Sequence, residues 1–232
     1  MNSYLTNTVL LDYTHPTIQG LIRSRQWDRL PVKDQILAAY NYVRDEISFG
    51  YNRSDDIPAS EVLLDGYGQC NTKGVLFMAL LRALGIPCRM HGFTIHKQLQ
   101  KGAMKGWYYR LSPREILHSW VEVWYEDRWL NIEGFILDLP YLTKLQQKFQ
   151  QCTGSFCGYG VATDNFQNPP IHWNENDTYV QKEGIVQDFG TYESPDAFFS
   201  AHQQQLGPLK KKIYSRIVRH LMNRNIRRIR EE

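Results

Sequence analysis

Cys70 sits inside the run Gly66-Tyr67-Gly68-Gln69-Cys70-Asn71-Thr72-Lys73-Gly74, which leads directly into a long apolar segment. A cysteine placed where a loop becomes a helix is suited to nucleophilic chemistry. The partial positive charge of a helix N-terminus favours thiolate over thiol. Downstream lie a histidine in a strand-like stretch, His118, and an acid, Glu133. If the three side chains meet, their roles follow from chemistry. Cys70 attacks a carbonyl, His118 takes the thiol proton and returns it to the leaving group, and Glu133 orients the ring and stabilises the imidazolium. The backbone N–H of Cys70 is a natural oxyanion donor. Gln69, Tyr51 and Trp107 are all candidates for a second donor. The chemistry is acyl transfer through a thioester.

The surrounding elements must bring these residues together. Ile36, Leu37, Tyr40, Val43 and Ile47 recur at helical spacing, so residues 32–47 read as a helix that starts after Pro31. Residues 49–58 are polar and end it, 59–64 form a short helical turn, and Gly66 and Gly68 allow a tight entry to the cysteine. From 71 to 84 the chain is apolar almost all round, with only Lys73 and Arg82 charged, which predicts a helix covered on every side. Gly85 and Pro87 stop it. Residues 88–95 read as a strand and 96–114 as a loop or hairpin beside the site. Residues 117–125 and 128–136 form an antiparallel hairpin about Glu126-Asp127. That turn pairs Trp124 with Trp129, Glu122 with Asn131 and Trp120 with Glu133. Alternation then puts Glu133 on the face of His118, diagonal to it and within reach. Asp138 has the wrong parity, and Asn131 has the right parity but lies farther along. Residues 140–205 show weak periodicity, and 213–229 read as a terminal helix.

These motifs, taken in order, carry a resemblance. Gly68-Gln69-Cys70, the helix running into Leu81-Arg82-Ala83-Leu84-Gly85-Ile86-Pro87-Cys88-Arg89, the strand His118-Ser119-Trp120-Val121-Glu122-Val123, and Trp129-Leu130-Asn131-Ile132-Glu133 resemble the transglutaminase-like superfamily of papain-type thiol enzymes, bacterial-type members in particular. The resemblance covers roughly residues 32–140. It implies an α+β, papain-like core in which a buried helix carries Cys70 and an antiparallel sheet carries His118 and the acid. That family has Cys, His and Asp in this chain order, so Glu133 stands where Asp is usual. Tyr67-Gly68-Gln69-Cys70 looks like the nucleophile motif of animal transglutaminases, whose next residue is Trp where this chain has Asn71. The implied function is a cysteine-dependent enzyme acting on amide or peptide bonds, a peptidase or amidase with water as acceptor and a transglutaminase with an amine. The rival is a non-catalytic binding module that kept the fold. No metal or organic cofactor is required by this chemistry.

Composition narrows the class. The chain has 232 residues, 42% hydrophobic and 22% charged, ordinary for one globular domain with a real core. The net charge of +3 is unevenly placed: from Lys210 onward there are nine Lys/Arg against two acids. The expected organisation is a single domain over 1–205 and a basic helical tail over 206–232. In that tail Ile213, Ile217 and Leu221 form one apolar stripe and Met222, Ile226 and Ile229 another, so the helix is expected to dock partly and leave a solvated basic face. The tail is a candidate contact for a polyanion or a partner protein, beside a peptide or protein amide as substrate. No signal peptide is read at the start, no apolar run spans a bilayer, and four cysteines suit reduced thiols, so a cytoplasmic location is expected. Cys152 and Cys157 have C-x4-C spacing without the further ligands zinc needs, and read as two unrelated thiols or an occasional disulfide.

Overall fold

A computed structural model describes residues 2–204 and 207–231. In chain order its helices are α1 (Pro16–Arg25), α2 (Val32–Asn41), α3 (Ala59–Asp65), α4 (Cys70–Ala83), α5 (Gly106–Leu111), α6 (Leu139–Lys148), α7 (Pro195–Ala201), α8 (Pro208–Ile213) and α9 (Arg219–Glu231). The strands are β1 (Ser48–Phe49), β2 (Tyr67–Gly68), β3 (Cys88–His96), β4 (Glu115–Tyr125), β5 (Arg128–Ile132), β6 (Phe156–Gly158), β7 (Val161–Thr163) and β8 (Ile185–Tyr192). The fold is α+β, centred on an antiparallel sheet of order β5-β4-β3-β8.

α4 is the axis of the core. Every residue from Cys70 to Arg82 is buried. Its two basic side chains donate to carbonyl oxygens. Lys73 Nζ donates to Arg44 O (3.2 Å) and Ile136 O (3.0 Å), and Arg82 donates to Thr6 O (2.6 Å) and Cys88 O (3.0 Å). Buried polar groups with such partners are tolerated, so a helix apolar on all sides can still carry them. Gly68 is required by a close approach: a Cβ there would lie 2.8 Å from Thr72 Oγ1 and 2.9 Å from Lys73 Cγ.

The β4–β5 hairpin has the expected register as far as Val121 opposite Ile132, with Trp124 opposite Trp129 and Glu122 opposite Asn131, while the expected pair of Trp120 with Glu133 does not form because Glu133 lies beyond the end of β5. Glu126 and Asp127 both adopt positive φ, 47° and 58°, the backbone of a two-residue turn that matches strand twist. β5 stops at Ile132, short of the expected 136, and the chain then turns towards α6.

Three expectations shift. The helix read over 32–47 is α2 followed by a π-helical turn, Tyr42–Glu46. The stretch 96–114 holds a 3-10 turn and the short α5. The weakly periodic 140–205 contains α6, α7 and β8, and β8 completes the sheet as its fourth strand. α8, a π-helical turn (Tyr214–Val218) and α9 follow one another from Pro208 to Glu231. Val218, Met222, Ile226 and Ile229 are buried, while Ile217 and Leu221 are exposed, so the segment docks by the second of its two stripes. Arg230 donates to Asp138 (2.6 Å) and to Phe49 O (3.1 Å), and Asn223 pairs with both backbone groups of Tyr51 at 2.7 and 3.0 Å. The expected boundary at 205/206 lies outside the described residues.

Candidate active site

Cys70 begins α4. Gln69 caps the helix, its side chain accepting from the backbone of Thr72 while Thr72 Oγ1 accepts from the Gln69 N–H (3.0 Å). The parallel pair β1–β2 fixes the entry, with Ser48 beside Tyr67 and Phe49 beside Gly68.

His118 lies in β4 and is fully buried. Its Nε2 is 3.1 Å from Glu133 Oε1. The other carboxylate oxygen of Glu133 accepts from Val180 N and Gln181 N, each at 2.8 Å. Phe93 meets the His118 ring edge-on, 4.8 Å between centroids. His118 Nδ1 has no hydrogen-bond partner among the described residues. Glu133 thus sets the ring's orientation through Nε2 and leaves Nδ1 for another role.

The N-terminus of α4 meets β4 at an edge. Because β5 ends opposite Val121, the β5-side edge of β4 is open beyond that residue. Side-chain amides satisfy it. Asn71 Nδ2 donates to Leu117 O (3.2 Å), while Gln204 accepts from Leu117 N (2.8 Å) and donates to Glu115 O (3.2 Å). Asn71 Oδ1 also accepts from Ser119 Oγ (2.9 Å). The residue next to Cys70 is therefore fastened to both chain neighbours of His118. The charge of Glu133 reaches the Cys70 thiol, and His118 acts on Asp55 beside that thiol. Cys70 is thus linked to the His118–Glu133 pair through its chain neighbour Asn71.

The thiol is not pre-ionised here. Burial and then Asp55 push it well above its ordinary range; the backbone N–H groups of Asn71 and Cys70 act the other way and are outweighed. The helix N-terminus gives the favourable contribution the sequence suggested, but desolvation is larger.

Cys70 lines a cavity of about 330 Å³. Its walls are largely apolar and include Tyr51, Trp107, Tyr108 and Leu117 together with Tyr214 and Met222 from the C-terminal segment. The candidate second donors sit differently around it. Tyr51 hydrogen-bonds Gln100 Oε1. Gln69 Oε1 accepts from Asn52 N (2.8 Å) and its Nε2 donates to Asp55 Oδ1 (2.8 Å), which leaves one N–H of that amide. Trp107 is half exposed at the rim.

Asp138 caps α6 and holds Arg230, and Asn131 faces Asp177; neither touches His118. Residues that the sequence did not single out are Asp55, Gln181 and Tyr214. Asp55 lies in a polar loop, Gln181 in a region of weak periodicity and Tyr214 in the expected terminal helix but off its two apolar stripes, so no local pattern marked them. Among the described residues no group of three or more His, Cys, Asp or Glu is arranged to hold a metal ion, and all four cysteines are free. No helix is long and apolar enough to cross a membrane.

A candidate cysteine protease from Cytophaga hutchinsonii aligns with 84% of this chain and 47% of its own, at 13% identity and a TM-score of 0.48. Red sea bream transglutaminase aligns with 57% of this chain and 25% of its own, at 18% identity and a TM-score of 0.31. The chain spans less than half the length of either. Curated protein sequences give no match. Residues 22–134 match the model of the transglutaminase-like superfamily, a span that contains Cys70, His118 and Glu133. Over residues 22–134 the chain is therefore similar to the transglutaminase-like superfamily.

Proposed function

We propose that this protein is a cysteine-dependent acyl-transfer enzyme acting on amide or peptide bonds, with Cys70 as nucleophile, His118 as general base and acid, and Glu133 as the residue that orients His118. One observation carries this reading: a fully buried histidine is held by a carboxylate through Nε2, its Nδ1 is unpartnered, and the helix start bearing Cys70 is fastened to its two neighbours.

Cys70 Sγ attacks the carbonyl carbon as its proton passes to His118 Nδ1. Because the resting thiol is neutral, attack and proton transfer are coupled and no standing ion pair is needed. The imidazolium is stabilised by Glu133, itself held by two backbone N–H groups. The oxyanion accepts from the backbone N–H of Cys70 and the remaining N–H of Gln69 Nε2. The amine leaves with the proton from His118, giving the thioester. Water, deprotonated by His118, releases the acid; an amine in its place gives a new amide. The domain is read as 1–205, followed by a basic helical tail over 206–232. A peptide or protein amide is the substrate class.

The test is mass spectrometry of the purified protein after incubation with cell extract. The expected result is an acyl adduct on the peptide containing Cys70, absent from Cys70→Ala and sensitive to hydroxylamine. A protein that stays unmodified while binding peptide would support the non-catalytic module.

A further inference from the structure

Asp55 has no role in the chemistry above, yet it stands at the nucleophile. It lines the same cavity as Cys70 and its charge acts on the thiol. Gln69 Nε2 donates to it at 2.8 Å, and Asn71 is its second amide neighbour. Both donors flank Cys70 in the chain, so the carboxylate is fixed relative to the sulfur. The nearby Arg53 is engaged with Glu61 (2.6 Å), and Lys210 and Lys211 on the cavity wall are exposed. Among the described residues no lysine or arginine forms an ion pair with Asp55. Asp55 is half-buried, with the His118 imidazole rather than a lysine or arginine acting on its charge, and a carboxylate partly withdrawn from water in this way is incompletely compensated. Burial accordingly raises the Asp55 carboxyl above its usual range, with Asp56 adding to the effect. A ligand that brought a positive charge would offset that cost.

The other walls define the rest of the ligand. Tyr108, Leu117, Phe199, Tyr214 and Met222 offer apolar and aromatic surface. The cavity thus combines a nucleophilic sulfur, one fixed anion and an apolar chamber.

We propose that Asp55 is the recognition site for a primary ammonium group on the substrate, next to an apolar moiety that fills the cavity. This rests on the acyl-transfer reading and narrows its substrate class. The ammonium has two possible sources, the acyl donor's own α-amino group or the amine acceptor. In the second case the bound ammonium gives up a proton to water, its nitrogen attacks the thioester carbon, the C–N bond forms as C–S breaks, and a second nitrogen proton passes through neutral His118 to the departing sulfur.

The test uses phenylalanine 4-methylcoumaryl-7-amide with a free and with an acetylated α-amine, and phenethylamine as a separate probe. If the donor carries the ammonium, wild type cleaves the free-amine substrate at least tenfold faster in kcat/KM. Asp55→Asn erases that preference, so that the free-amine and acetylated substrates are cleaved with kcat/KM values within about threefold of each other. If the acceptor carries it, phenethylamine converts N-acetylphenylalanine amide to the N-phenethyl amide, and Asp55→Asn raises the KM for amine at least tenfold more than it raises the KM for the acyl donor. Calorimetry on Cys70→Ser needs no turnover. Phenethylamine is expected to bind and 2-phenylethanol not to, with the amine's affinity lost in Cys70→Ser/Asp55→Asn. An unchanged amine preference and Asp55-independent amine affinity would overturn the ammonium site while leaving the acyl-transfer reading intact. Asp55-dependent amine binding without any adduct on Cys70 would uphold the site and overturn the enzyme.

Discussion

His118 Nε2 lies 3.1 Å from Glu133 Oε1, and neither side chain has exposed surface. Glu133 is held in turn by Val180 N and Gln181 N, so the carboxylate is fixed from a segment more than forty residues downstream. Glu133→Gln keeps the shape and removes the charge that stabilises an imidazolium. We expect kcat to fall about 10²-fold with KM nearly unchanged, a smaller loss than for Cys70→Ala or His118→Ala. Steady-state kinetics with circular dichroism as a folding control checks this. A Glu133→Gln enzyme with wild-type kcat would remove Glu133 from the mechanism, and Asp138→Asn or Asn131→Ala costing more would reassign its role.

The Cys70 thiol is held up by burial first and Asp55 second. Its alkylation by iodoacetamide should have a pH midpoint above the ~8.5 of a free thiol. Asp55→Asn should move the midpoint down, because a neighbouring negative charge that opposes the thiolate is gone. Peptide-level mass spectrometry across pH 6–10 gives the profile for Cys70 separately from the more exposed Cys152 and Cys157. A wild-type midpoint below that of an exposed thiol would contradict the burial argument.

Asp138 is lowered below the usual carboxylate range: burial opposes this, but Arg230, the Phe49 N–H and Lys73 outweigh it. Its contribution to stability is therefore present above the unfolded value of about 3.9 and is lost as pH falls through the lower folded value. Arg230→Ala leaves a nearly buried carboxylate without its cation, and should cost about 2–3 kcal/mol at neutral pH. Thermal melts at pH 7 and pH 3 are expected to show a large difference between wild type and variant at pH 7 and a smaller one at pH 3.

Lys73 has the opposite kind of linkage. Burial lowers its amine to about 7, against about 10.4 when unfolded. Between those values the unfolded chain holds one more proton than the folded chain, so raising the pH through this window favours folding, by at most about 1.4 kcal/mol per unit. Lys73→Met should flatten urea stability between pH 7 and 9.5. An equal slope in both proteins would show that Lys73 is charged when folded.

The C-terminal segment forms part of the cavity wall, with Met222 both buried and lining it. Met222→Ala should destabilise the protein by about 2 kcal/mol or more and enlarge the chamber. Urea denaturation measures the first effect, and the size of the largest bound amine the second.

Much of this was legible from local pattern. The all-round apolar run after Cys70 identified the central helix, and strand alternation from His118 with the Glu126-Asp127 turn identified the acid that meets it. Both signals are short-range. What stayed hidden depends on contacts between distant segments. Asn71 was visible only as a departure from a family motif, and its bridge to Leu117 and Ser119 exists because β5 ends early. Asp55 gains its place from Gln69 and Asn71, and Tyr214 from the docking of a helix more than 140 residues after Cys70. The neutral state of the thiol was equally hidden, since desolvation depends on the finished packing and a helix N-terminus reports only one of the contributions.

The most direct measurement is the second-order rate of Cys70 alkylation by iodoacetamide at pH 7.5 in wild type and His118→Ala, read by peptide mass spectrometry. If His118 Nδ1 takes the Cys70 proton, the rate falls at least tenfold in His118→Ala while Cys152 and Cys157 label as before. Equal Cys70 rates in the two proteins would contradict a nucleophile–base pair.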